Sequence, residues 1–121
     1  MRVAEYREPH VIEMVDRPEP EAGPGQITIE VSTCGVCGSD LHSFERGFAA
    51  QPGQVLGHEF SGKVIDPSDV EGISEGQRVT VRPLIPCLAC PRCLAGDWHL
   101  CGAGAELNIG YGTQGAFAEQ V

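Results

Sequence analysis

Apolar and polar residues alternate along several short stretches of this chain, which is the pattern of half-buried β-strands. In residues 26–33 the alternation places Ile27, Ile29 and Val31 on one face of a predicted strand. The same pattern predicts strands over residues 59–66, 77–83 and 115–121, and a weaker hairpin pair near the start, in VAEY and VIEMV. Many short strands favour an all-β sandwich or barrel.

Glycine and proline separate these stretches and predict the turns between them. The chain holds 16 glycines and 9 prolines, and the turn-forming strings include EAGPG, QPGQ, DPSD and SEGQ. Only short helices are predicted: residues 39–46, with Ser39 as the N-cap, and a turn inside a cysteine-rich stretch further on. The sequence therefore predicts a mainly β fold, and 121 residues fit one domain.

Charge and hydropathy exclude two classes of partner. The net charge is −9 and only eight Lys and Arg residues are scattered along the chain, so binding to a phosphate backbone is not expected. The chain has no apolar run of about eighteen residues, so no membrane span is expected. Its start lacks the apolar region of a secretion signal, which predicts a cytoplasmic protein with reduced thiols.

Four of the six cysteines stand in the stretch PCLACPRCLAGDWHLC, residues 86–101. Their Cys-x2-Cys-x2-Cys-x7-Cys spacing suits a metal, and four-thiolate zinc, an iron–sulfur cluster and disulfides are the alternatives. The bacterial ferredoxin run has a last gap of three and a following proline, and this stretch has neither. His99 is a further candidate ligand. The spacing favours zinc on Cys87, Cys90, Cys93 and Cys101.

A second group of chemically capable residues stands in CGVCGSDLHSF, residues 34–44, and LGHEFSG, residues 56–62. A catalytic zinc site uses thiolate and imidazole ligands with one position left open, and a carboxylate often orients the imidazole. Structural explanations remain open, because a single histidine is usually structural and a serine can simply cap a helix. The candidates are Cys37, Ser39, Asp40, His42, His58 and Glu59.

Taken in order, CGVCGSDLH, GHEFSGKV, GQRVTV, the four-cysteine stretch and GAFAE resemble the zinc-dependent medium-chain dehydrogenase/reductase family, the alcohol dehydrogenases. The resemblance covers nearly the whole chain. It implies that residues 1–121 are a GroES-like, partly open β-barrel, the N-terminal catalytic domain of the family, with short helices and a zinc-binding lobe at about residues 86–102.

The resemblance also implies roles for single residues. Cys37 and His58 match catalytic zinc ligands, and Glu59 matches the acidic neighbour that can move onto that zinc. Asp40 matches the carboxylate that supports the ligand histidine, while Ser39 and His42 match a proton relay. The structural zinc would be held by Cys87, Cys90, Cys93 and Cys101, with His99 outside the ligand set.

Two parts of the family pattern are missing from these 121 residues: the remaining catalytic zinc ligand and the Rossmann domain that binds NAD or NADP. GYGTQG, residues 110–115, matches G-x-G-x-x-G, but a strand-like stretch follows it instead of a helix, so a glycine-rich turn is predicted and no cofactor-binding residue is assigned. Because the chain stops inside a predicted strand, a fragment is expected.

The function implied is the oxidation of an alcohol to an aldehyde or ketone, and the reverse reaction, by a zinc-dependent, NAD(P)-linked dehydrogenase. Its expected partner is a small alcohol or carbonyl compound, and the whole protein is expected to form a homo-oligomer. The fragment alone is expected to be inactive. One alternative is a stand-alone zinc-binding β-barrel module without catalysis, and another is a co-chaperonin-like subunit, which has no use for two zinc sites.

Overall fold

The computed structural model describes residues 1–104 and 106–121. A short 3₁₀ turn, Trp98–Leu100, separates the last two helices. In chain order the elements are β1 (Arg2–Glu8), β2 (Val11–Asp16), β3 (Thr28–Gly35), α1 (Gly38–Arg46), β4 (Gln54–Val55), β5 (Glu59–Asp66), β6 (Arg78–Thr80), α2 (Pro91–Leu94) and α3 (Gly104–Leu107).

The strands form two antiparallel sheets. One sheet has the order β2-β1-β4 and the other the order β3-β5-β6. In each sheet two successive strands pair: β1 with β2, and β5 with β6. The hairpin of β1 and β2 is the weaker VAEY and VIEMV pair predicted from the sequence. The mainly β fold is confirmed.

The final segment, residues 115–121, connects the two sheets. The amide of Ala4 donates to the carbonyl of Phe117 at 2.7 Å, and the amide of Ile29 donates to the carbonyl of Val121, also at 2.7 Å. The segment thus pairs with β1 on one side and with β3 on the other. It forms isolated bridges instead of the regular strand predicted there, because its few hydrogen bonds are divided between two partners.

The predicted alternation is confirmed in β3 and β5, where the apolar face of each strand packs into one core. Ile29 and Phe60 are buried there with Ala116, and Ile27, Val31 and Val79 pack against them. The predicted strand over residues 77–83 is shorter in the structure, since β6 covers only Arg78–Thr80. No helix in the described part of the chain is long and apolar enough to cross a membrane.

Helix α1 begins one residue earlier than predicted, and its N-cap is Cys37 rather than Ser39. Asp40, at the third helical position, accepts a hydrogen bond from the amide of Cys37 at 2.9 Å, so a carboxylate reaches back to the start of the helix. Ser39 therefore lies inside the first turn. Gly47 ends the helix with φ +68°, in the left-handed conformation that favours glycine.

Candidate functional site

The cysteine lobe, residues 86–102, brings its four thiols together. The Sγ atoms of Cys87, Cys90, Cys93 and Cys101 all lie within 4.8 Å of one another. Cys90 caps the short helix α2 and Pro91 occupies its first turn, so that Cys90 and Cys93 lie at the two sides of one tight turn. All four cysteines are free thiols.

Backbone amides of the lobe point at these sulfur atoms. The amide of Cys87 lies 3.4 Å from Sγ of Cys101, that of Cys90 lies 3.4 Å from Sγ of Cys87, and that of Cys93 lies 3.5 Å from Sγ of Cys90. Such N–H···S contacts stabilise sulfur in its negatively charged form. The lobe is therefore built to hold thiolates, which are the ligands that zinc takes in a closed, four-coordinate site.

The thiol pKa values differ within this cluster. Hydrogen bonds from backbone amides lower the pKa of Cys87, Cys90 and Cys101. Burial, followed by the neighbouring thiols, raises the pKa of Cys93 to about 12. In water four adjacent thiolates would repel one another, so a divalent cation at their centre is what allows all four to ionise together. The residues present fit the structural zinc predicted from the sequence.

His99 stands apart from the cluster, since it is exposed in the 3₁₀ turn and is not among the converging ligand atoms. Its neighbour Trp98 supports the lobe instead. The Trp98 indole donates to the carbonyl of Cys93 at 3.2 Å, and the guanidinium of Arg82 lies 4.9 Å from the centre of the Trp98 ring. These contacts fasten the lobe to the chain that enters it from the barrel.

A second group of ligand atoms meets where the β3–α1 connection approaches the start of β5. One atom each of Cys37, His58 and Glu59 lies within 4.8 Å of the others. Cys37 is partly buried and His58 is 9% exposed, whereas Glu59 is exposed. A thiolate, an imidazole and a carboxylate are a donor set that zinc accepts, and three ligands leave a position for a substrate or water.

The two nitrogens of His58 face different partners. Nδ1 lies 3.5 Å from Oδ1 of Asp40, within ion-pair distance, but it makes no hydrogen bond in the described structure. Nε2 lies 3.4 Å from the hydroxyl of Ser39. Asp40 is 4% exposed and also accepts from the amide of Gly57 at 3.3 Å. Asp40 thus holds the backbone on both sides of the site, and Nε2 lies beside Ser39.

Of the predicted proton relay, only Ser39 contacts the site. His42 lies on α1, one turn after Ser39, with its side chain exposed to solvent. That position suits the outer end of a relay, and its role stays a prediction.

Tyr111 was not predicted as a site residue, and the structure places it against His58. The two rings have their centres 5.2 Å apart and are tilted by 45°. Burial raises the pKa of Tyr111, while the nearby Ser39 hydroxyl acts in the opposite direction. The hydroxyls of Ser39 and Tyr111 do not meet hydrogen-bond geometry. The buried Tyr111 hydroxyl therefore has no partner among the described residues. The only signal in the sequence was GYGTQG, and the pattern of a glycine-rich turn does not reveal where the turn packs.

A cleft of about 520 Å³ opens beside the second cluster, and His58 and Glu59 form part of its wall. Thr80, at the end of β6, and Val81 and Pro83, which follow it, also line the cleft. Ligand atoms that line an open cleft can be reached by a small molecule, whereas the ligand atoms of the cysteine lobe face one another. The two clusters therefore differ in the way that catalytic and structural metal sites differ.

Comparison with known proteins identifies the family of the chain. The sequence model for the alcohol dehydrogenase GroES-like domain matches residues 23–121. The L-threonine 3-dehydrogenase of Streptomyces avermitilis is 45% identical over 114 residues, which cover 89% of this chain and 32% of that protein. The chain thus spans about a third of the length of this relative.

Two solved structures superimpose closely on the chain. Galactitol-1-phosphate dehydrogenase from Escherichia coli has a TM-score of 0.92 at 30% identity, with 100% of this chain and 35% of that chain covered. A proposed zinc-binding dehydrogenase from Sinorhizobium meliloti 1021, solved with NADP bound, has a TM-score of 0.88 at 36% identity, with 99% of this chain and 35% of that chain covered.

Proposed function

Because this chain belongs to the alcohol dehydrogenase GroES-like domain family, among the zinc-dependent medium-chain dehydrogenases/reductases, we propose that it is the catalytic domain of an NAD(P)-linked dehydrogenase. The reaction proposed is the oxidation of an alcohol to an aldehyde or ketone, and its reverse. The single observation that carries the proposal is the meeting of Cys37, His58 and Glu59 beside a cleft that His58 and Glu59 line.

Cys37 and His58 would hold the catalytic zinc, and Glu59 would be able to move onto it. Bound there, zinc supplies a Lewis acid that polarises the substrate oxygen. Asp40, 3.5 Å from Nδ1 of His58, would orient the ring from that side and leave Nε2 to serve as the ligand atom. The four thiols of the cysteine lobe would hold a structural zinc, which ties the lobe together and takes no part in the chemistry.

Ser39 is the proton acceptor in this proposal. Its hydroxyl lies 3.4 Å from Nε2 of His58, so it would be able to accept a proton from a substrate hydroxyl held at this site. His42, one helical turn away and exposed, passes the proton on to solvent. These side chains of α1 would thereby connect the site with bulk water.

The nicotinamide cofactor is proposed to bind outside residues 1–121, in a Rossmann domain. Supporting this, a structural neighbour was solved with NADP, and this chain covers 35% of it. When bound, the nicotinamide supplies the hydride acceptor. The substrate is a small alcohol or carbonyl compound, as the names of the threonine and galactitol-1-phosphate dehydrogenases indicate for those relatives. Homo-oligomer formation and a cytoplasmic location stay predictions.

The test compares two cysteines of the same strand–helix connection. In Cys37→Ala the catalytic zinc should be lost and the cysteine-lobe zinc retained, since only the cluster of Cys37, His58 and Glu59 loses a ligand. The matched control is Cys34→Ala, because Cys34 lies nearby on β3 but is outside both clusters. Zinc per chain is counted by mass spectrometry after mild chelation, which should spare the four-thiolate site.

Activity is measured on the gene product that contains this chain, as alcohol-dependent reduction of NAD⁺ or NADP⁺. We expect Cys37→Ala to abolish the activity and Cys34→Ala to keep it. Residues 1–121 alone should be inactive. Retention of a single zinc in both variants and no dehydrogenase activity in the gene product would instead support a zinc-binding module without catalysis.

A further inference from the structure

The hydroxyl of Tyr111 is a buried polar group that the proposed mechanism leaves unused. It has no hydrogen-bond partner in the described structure, although the ring packs 5.2 Å from that of His58 and the oxygen lies close to Ser39. Native proteins rarely leave a buried hydroxyl unsatisfied, because it loses its bonds to water without replacement. An orphaned hydroxyl beside an open site is best explained by a partner that arrives with the ligand.

The segment that carries Tyr111 is held firmly in this position. The side-chain amide of the buried Gln54 donates to the carbonyls of both Gly110 and Tyr111, the former at 3.1 Å. Gly110 packs so closely on the backbone of Gly57 that a Cβ atom there would lie 2.8 Å from the Gly57 carbonyl oxygen. Gly57 directly precedes His58, so the tyrosine and the histidine are anchored to the same piece of backbone.

Two side chains that carry a hydroxyl group, Ser39 and Tyr111, thus lie next to His58. Ser39 is 3.4 Å from Nε2 and is placed to serve the oxygen that reacts. Tyr111 is then free to serve a different polar atom of the same ligand. A simple hydrocarbon alcohol has only one oxygen and would leave the phenol unpaired, whereas a substrate with a second hydroxyl next to the reacting carbon would satisfy both groups.

We propose that Tyr111 is a specificity-determining residue whose neutral phenol hydrogen-bonds a second hydroxyl of the substrate, so that the site prefers vicinal diols and polyols to mono-alcohols. This inference rests on the proposed dehydrogenase function. It deepens that function by naming the substrate class. No proton leaves the phenol, and its part in the reaction is to position the substrate.

The kinetic test is made on the gene product that contains this chain, with butane-2,3-diol and butan-2-ol, which share a skeleton and differ by one hydroxyl. In Tyr111→Phe we expect kcat/KM for the diol to fall roughly tenfold to a hundredfold, mainly through KM, as one buried hydrogen bond is lost. In the same variant, kcat/KM for butan-2-ol should stay at the wild-type value or rise. Tyr6→Phe is the matched control, because Tyr6 and Tyr111 are the only tyrosines and Tyr6 lies beside Gly47, away from the site. An equal loss on both substrates, or on neither, overturns the proposal.

A second readout does not depend on turnover. In the zinc-loaded protein, with tyrosine labelled at the ζ carbon with ¹³C, butane-2,3-diol should shift the Tyr111 signal while butan-2-ol should not, and the Tyr6 signal should stay fixed. An unmoved Tyr111 signal at saturating diol would contradict the inference. If the wild-type protein oxidised neither alcohol but the signal moved, the proposed reaction would fail for this substrate class and the assignment of Tyr111 to ligand binding would stand.

Discussion

The hydroxyl of Ser39 lies 3.4 Å from Nε2 of His58, although 19 residues separate them in the sequence. Ser39 is in the first turn of α1, and His58 directly precedes β5. Pairing of β3 with β5 brings the two segments together, since Gly35, at the end of β3, is opposite Glu59. The contact therefore depends on sheet register, and a change in that register would separate the proposed proton acceptor from the proposed metal ligand.

We predict that Cys101→Ser removes one zinc per chain and lowers the free energy of unfolding by several kcal/mol, because a structural zinc couples loop closure to metal binding. Zinc content and thermal unfolding are the measurements. Cys34→Ser is the control, since Cys34 is also partly buried but lies outside the lobe. Iron instead of zinc in the metal analysis, or a disulfide within the lobe, would disprove the assignment.

We predict that Asp40→Ala lowers the free energy of unfolding by about 2 kcal/mol, because two backbone amides, of Cys37 and Gly57, lose their buried acceptor. Asp69→Ala is the matched control, since Asp69 also accepts from a backbone amide, that of Gly25, but is exposed. Denaturant unfolding measures both. The affinity for the catalytic zinc should fall about tenfold or more in Asp40→Ala only. Equal losses in the two variants would show that burial of Asp40 has no special effect.

Gly110→Ala should lower the free energy of unfolding by more than the cost of placing alanine in a left-handed backbone conformation, because the added Cβ would also meet the backbone of Gly57. Gly72→Ala isolates that backbone effect, because φ is +79° at Gly72 and +81° at Gly110, while a Cβ at Gly72 meets nothing within 4 Å. We expect a loss of about 1–2 kcal/mol for Gly72→Ala and a larger loss for Gly110→Ala, measured by chemical denaturation. Similar values would mean that Gly110 does not pack on Gly57 as described.

The pair Arg2 and Glu119 should make stability depend on pH. The amide and then the side chain of Arg2 lower the pKa of Glu119 below its ordinary value of 4.5. A lowered folded-state pKa stabilises the protein above the unfolded-state value, and the contribution is lost as pH falls through the folded-state pKa.

Accordingly, Glu119→Gln should lower the melting temperature at pH 7, by a small amount because solvent screens this exposed pair. The difference from wild type should shrink as the pH falls below 4.5 and vanish once the pH is below the lowered folded-state pKa of Glu119. Glu75→Gln, at an exposed turn, is the control and should show no such trend. A difference that persists at low pH would contradict this account.

The sequence alone determined the elements whose signal is local. Alternating apolar residues predicted β3 and β5, because side chains on a strand point to opposite faces with a period of two. The x2 spacing predicted the cysteine lobe, because one tight turn brings Cys87 and Cys90 together. The family pattern added Cys37 and His58, which local spacing could only suggest.

Tertiary structure decided what depends on distant partners. Residues 115–121 alternate like a strand, yet they bridge two sheets, because the partners available to their amides are fixed by the fold and not by their own pattern. Ser39 has the chemistry of an N-cap, but the reach of Asp40 back to Cys37 starts the helix earlier and leaves Ser39 for the site. The glycines around Tyr111 indicated only a turn. Its position against His58 follows from the close packing of Gly110 on Gly57, a contact across 53 residues that a linear pattern does not encode.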